Sequence, residues 1–171
     1  MLRFAPVALA AMLALPAMAQ DSEIVFQRGA WLVEVVRFDD GGLACSARVT
    51  QGEDTFAIWV FQDGYTQLQL YSPDWQFGET SADLVVQVDR RPKWDLTGAQ
   101  LTQNSVLFNL TDEDEAVDLL VEIARGNTFF VRNAQGQPVI NFTLQGSRAS
   151  MQTLGDCEIA LGRVGANPFT K

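Results

Sequence analysis

Val106-Leu-Phe-Asn-Leu110-Thr-Asp-Glu-Asp-Glu115-Ala-Val-Asp-Leu-Leu120-Val-Glu-Ile-Ala-Arg125-Gly126 is the stretch in which the chain changes its period. Val106, Phe108 and Leu110 alternate with other residues, as one face of a β-strand does. From Ala116 the apolar residues recur at Leu119, Leu120, Ile123 and Ala124, which is one stripe of an α-helix. Thr111 or Asp112 supplies an N-cap, and the acids of residues 112–115 complement the positive end of the helix dipole. Gly126 sits where a helix stop is expected, at C′. A strand therefore feeds a helix here, and the fold is neither all-β nor a helical bundle.

Upstream, residues 31–36, 44–50, 55–61, 66–71 and 84–88 read as short strands. Turn residues separate them, among them Asp39-Asp40-Gly41-Gly42 and Asp63-Gly64. Leu68 and Leu70 face one way, Gln67 and Gln69 the other. Lys93 to Leu96 and then Leu101 follow the Arg90-Arg91-Pro92 turn. Residues 20–28 are polar and are expected to fray, and residues 72–82, with Pro73 and Gly78, to form a loop. Downstream, residues 128–131 and 138–144 make a hairpin about Gln135-Gly136. Gly146-Ser147 opens a second, shorter helix, with Ser147 as N-cap and Ser150, Leu154 and Cys157 on one side. Residues 163–171 carry Asn167-Pro168 and read as a loose tail. The strand at Phe108 and the strand at Phe142 each lead into a helix, a short internal echo. The expected fold is α+β: a mostly antiparallel, sandwich-like sheet with two helices in the C-terminal half.

The 171 residues carry 12 Lys+Arg, 21 Asp+Glu and no His, and the apolar fraction is 47%. This suits one globular domain preceded by a leader. Arg3, the uncharged residues 4–19 and the small-x-small triplet Ala17-Met18-Ala19 form a signal peptide, with cleavage after Ala19. Sixteen uncharged residues fall short of the roughly 20 that span a bilayer. Residues 20–171 then form a single β-rich domain, and loss of Arg3 takes the net charge from −9 to −10. The expected compartment is the periplasm or the exterior. Cys45 and Cys157 are the two cysteines, and an oxidising compartment pairs them in a disulfide. No C-x-x-C redox motif is present, so the bond reads as a staple.

The acidic balance argues against nucleic acid and anionic bilayer surfaces as partners. The one basic cluster, Arg90-Arg91-Pro92-Lys93, reads as a solvated turn. Without His there is no Ser-His-Asp or Cys-His nucleophile and no His-ligated metal. Ser147 lacks a base and a Gly-x-Ser-x-Gly elbow. The four adjacent acids at 112–115 suit capping better than a glycosidase pair, whose carboxylates face each other across a cleft. Phosphate-binding glycine motifs are missing. No catalytic residue, metal or cofactor is expected. Aromatics remain as binding candidates: Trp31, Trp59, Trp75, Trp94, Tyr65 and Tyr71. Trp31 and Trp59 lie inside strands and are expected in the core. Trp75 and Phe77, in the Pro/Gly segment just after Tyr71, are the expected ligand or partner surface.

Ala116-Val-Asp-Leu-Leu-Val-Glu-Ile-Ala-Arg-Gly126-Asn-Thr-Phe-Phe-Val131, followed by Val139-Ile-Asn-Phe-Thr-Leu-Gln-Gly-Ser147, resembles the C-terminal half of the invasion-associated locus B family. These are small exported proteins common in alphaproteobacteria. Val86-Gln-Val-Asp89 resembles that family's mid-chain strand, and Ala44-Cys45 its early cysteine strand. The resemblance runs mainly over residues 84–155. The chain departs from the family at Val35-Val36, where a cysteine is usual, and at Gly146-Ser147, where Gly-Phe is usual. The resemblance implies export, size and a β-rich architecture, and it brings no catalytic residues. The expected function is that of an exported, non-enzymatic periplasmic binding or protein-interaction module. Its expected partner is an envelope protein or another periplasmic ligand. An envelope protease inhibitor or chaperone-like factor is the alternative, and a carboxylate-based hydrolase the third reading.

Overall fold

The computed structural model describes residues 21–111 and 113–163. The signal-peptide reading of residues 1–19, an N-cap at Asp112 and the tail from residue 164 lie outside the described residues. The chain forms β1 (Asp21–Arg28), β2 (Trp31–Arg37), β3 (Leu43–Gln51), β4 (Asp54–Phe61), β5 (Thr66–Tyr71), β6 (Phe77–Val88), β7 (Lys93–Gln103) and β8 (Ser105–Leu110). Then come α1 (Glu113–Arg125), β9 (Thr128–Asn133), β10 (Pro138–Thr143) and α2 (Ser147–Arg163). All strand pairs are antiparallel, in one ten-stranded sheet of order β1-β2-β3-β4-β5-β8-β7-β6-β9-β10. The α+β class holds, with both helices in the C-terminal half.

The period-2 pattern decides which face is wet. Register carries one apolar row across the sheet. Val33 pairs with Ala47, Ala47 with Ile58, Ile58 with Leu68 and Leu68 with Phe108. On the far side Val86 pairs with Val131, and Phe129 with Phe142. The sheet rolls until these two inner faces meet. Phe56 of β4 stacks on Phe129 of β9, with centroids 4.4 Å apart, and lies 5.8 Å from Phe142 of β10. The roll is held where β10 approaches β2 and β3. Trp31 Nε1 donates to the Thr143 carbonyl at 3.3 Å, and the Thr143 N–H donates to Gln51 Oε1. One sheet folded against itself thus supplies the sandwich-like interior.

Three expectations need correction. Residues 21–28 do not fray: β1 pairs along its length with β2, and Phe26 packs against the core. The segment 72–82 is a loop only as far as residue 76, because β6 starts at Phe77. Its polar half pairs with β7 outside the core, so neither face needs apolar residues. Thr102 Oγ1 donates to Glu79 at 2.6 Å, and the Gly98 N–H to Asp83 at 2.9 Å. Finally, α2 is the longer helix, 17 residues against 13, and it includes Arg163.

Ser147, Ser150, Leu154, Cys157 and Leu161 form the buried side of α2. That side packs on β1, β2, β3 and β4. The Cys45–Cys157 disulfide joins β3 to α2 there, with Cα atoms 6.2 Å apart. Ala116, Leu119 and Ile123 are the buried side of α1. Gly126 is not in the left-handed region. Its reason is space: a Cβ there would lie 2.2 Å from Val88 Cγ1 and 2.8 Å from Leu144 Cδ1. A bare backbone lets the end of α1 sit against the sheet.

Candidate functional site

The expected aromatic surface is divided by the fold. Trp75 and Phe77 contact each other, with centroids 5.5 Å apart, and both rings are half-buried against the core. Asn104 Nδ2 fixes the segment by donating to the carbonyls of Pro73 and Trp75. Tyr71 is exposed at the end of β5, and among the described residues it makes no ring contact with the other two. Trp75 and Phe77 are thus partly engaged in packing, while Tyr71 stands apart from them.

Trp31 is fully buried, as expected, but Trp59 is not a core residue. It falls on the other face of β4 from Phe56, Ile58 and Val60, because side chains alternate along a strand. There it belongs to an outer row in which Glu34, Ser46, Trp59, Gln67 and Asn109 lie opposite one another strand by strand. Trp59 Nε1 donates to Gln69 Oε1 at 2.8 Å, and Gln67 Nε2 to Asn109 Oδ1 at 2.8 Å. Glu34 Oε1 accepts from Arg48 Nε at 3.1 Å and from Ser46 Oγ at 3.2 Å. Glu34 is the buried carboxylate among the described residues, and its partners are a guanidinium and a hydroxyl. No group of three or more His, Cys, Asp or Glu side chains is placed to hold a metal ion, among the described residues.

Ser147 does not cap its own helix. Its hydroxyl donates at 2.8 Å to the carbonyl of Ile123 in the last turn of α1. Gly146 takes the capping position instead: its carbonyl accepts the Ser150 N–H at 3.3 Å, and its φ is +103°. A Cβ at Gly146 would lie 2.7 Å from the Arg28 carbonyl oxygen, so glycine is required there. Arg91, from the turn expected to be merely solvated, caps α1: its guanidinium donates to the carbonyls of Glu122 and Arg125 at 3.2 and 3.3 Å. The end of α1 and the start of α2 are thereby tied together.

From that junction a groove of about 640 Å³ runs between the two helices. Val117, Leu120, Val121 and Ala124 line it from α1, and Met151, Gln152 and Gly155 from α2. Arg125 and Arg148 stand at the tied end. The groove exposes apolar side chains: Val117 is 58% exposed and Val121 38%. The apolar stripe of α1 thus divides. Ala116, Leu119 and Ile123 enter the core, while Leu120 and Ala124 border the groove. Reading the helix as one stripe missed Val117 and Val121. Their signal was present as an i, i+4 pair beside the stripe, wider than one buried face requires.

No family model, no curated protein and no solved structure matches this chain. Among the described residues, no helix is long and apolar enough to cross a membrane.

Proposed function

We propose that the chain is an exported binding module without catalysis of its own, and that it seats its ligand in the groove between α1 and α2. The observation that carries this reading is the groove itself. Its volume of about 640 Å³ lies in the range of small-molecule sites, and exposed apolar side chains line it. Export is supported by the leader of residues 1–19 and by the Cys45–Cys157 disulfide. The resemblance to the invasion-associated locus B family points the same way.

The test is a titration of the purified protein with an uncharged apolar dye, N-phenyl-1-naphthylamine, followed in parallel by the methyl resonance of Met151. Saturable dye fluorescence with a shift at Met151 is the expected result. Dye uptake that leaves the Met151 methyl unmoved, or no uptake at all, overturns the assignment to this groove.

A further inference from the structure

Resting on that reading of the groove, we infer that its ligand is a single-chain amphiphile with an anionic head, of the long-chain carboxylate class. The argument starts from two cations. Arg125 and Arg148 both line a cavity whose other walls are almost entirely apolar. The chain as a whole is acidic, at −9, yet among the described residues the one ion pair is Arg48–Glu34, on the far face of the sheet. Neither guanidinium is used in capping, because Arg91 and the Ser147 hydroxyl take the last carbonyls of α1.

Both arginines lie at one end. Ser147 binds the Ile123 carbonyl, so Arg148 and Arg125 flank the junction from either side. The first turn of α2 begins here and holds no acidic residue. Away from this end the lining is mostly apolar: Ala124, Leu120, Val121 and Val117 on one wall, Met151 and Gly155 with Gln152 on the other. At 1.5 Å per helical residue the walls run roughly 12 Å from Arg125 to Val117. A head held between two guanidiniums with an alkyl chain laid along this run matches both parts.

Gly155 is the second sign. It stands inside a 17-residue helix, where glycine costs roughly 1 kcal/mol relative to alanine. Its φ does not require glycine, and a Cβ there would meet nothing within 4 Å. The same holds of Gly162 in this helix, but of the two only Gly155 lines the groove, where a missing side chain widens it. The acidic surface disfavours an anionic bilayer as the source, so the commitment is to single molecules.

The experiment compares dodecanoate with dodecyl maltoside, which has an alkyl chain of the same length and an uncharged head. Both are titrated below their micellar concentrations by calorimetry. The wild type is expected to prefer dodecanoate by about tenfold, the scale of one charge-assisted contact. Arg125→Gln combined with Arg148→Gln should remove that preference, with dodecyl maltoside still bound. Gly155→Leu should abolish binding of both without lowering the melting temperature. Equal affinity for the two heads, or a preference that survives the double arginine variant, overturns this inference and leaves the groove reading standing. Failure of both ligands to bind overturns the two together. A native mass of two copies that Gly155→Leu reduces to one also overturns it, since a second chain would then fill the groove.

Discussion

Asp89 illustrates how much one side chain can organise. It ends β6 with φ at +53°, and its N–H donates to the Thr128 carbonyl at 2.9 Å. Its carboxylate accepts the N–H groups of Asn127 and Thr128 at 3.1 and 2.9 Å, and the Asn127 amide at 3.2 Å. It therefore fixes the link from α1 into β9, far away in sequence. Asp89→Ala leaves those donors without their acceptor and is expected to cost about 2–3 kcal/mol in urea unfolding. Asp89→Asn should recover part of this, because the amide oxygen accepts and asparagine tolerates positive φ. An unchanged midpoint for Asp89→Ala would contradict the capping role. From sequence Asp89 is legible only as the last residue of an apolar run. Its partners lie 38 and 39 residues on, and no local pattern encodes that. Trp59 fails for a related reason. Its strand is legible, but which face of that strand turns inward follows from the pairing of Ile58 with Ala47 and Leu68.

At the scale of elements, the strands that were legible are those with one face in the core, such as β5, where Leu68 and Leu70 are buried and Gln67 and Gln69 are not. The missed ones, β1 and the first half of β6, are exposed over most of their residues, so the alternation is weak. The edge strand β1 has a further feature. Ile24 pairs with Glu34 and Phe26 with Val33, which leaves Val25 as an extra, bulged residue. Ile24 and Val25 are both exposed, at 58% and 45%. A regular apolar edge invites pairing with another chain, and a bulge discourages it. Deleting Val25 restores an even ladder with the same register on β2. The expected outcome is concentration-dependent association in sedimentation or size-exclusion measurements. A variant that stays monomeric at high concentration would show that the bulge has no protective role.

For the whole molecule, the class and the staple were readable, since a chain with two cysteines has one intramolecular pairing. The groove was not, because it exists only once two helices from different parts of the chain are set side by side. The Cys45–Cys157 bond spans 112 residues, and Cys45 is fully buried. In the chain-entropy account a loop of this size stabilises the fold by about 4–5 kcal/mol. Cys45→Ala with Cys157→Ala should accordingly lower the calorimetric melting temperature by roughly 10 °C. A melt within a degree of the wild type would mean that the bond contributes little.

The same bond also defines a ring. It closes a covalent ring that contains β4 to β10 and α1, and its second sulfur sits late in the final helix. In the native fold the thiols meet where that helix lies across the first strands. With two cysteines in the chain, oxidation has no wrong intramolecular product. A molecule whose helix has not docked carries two thiols in place of the ring, a chemical mark of unfinished folding.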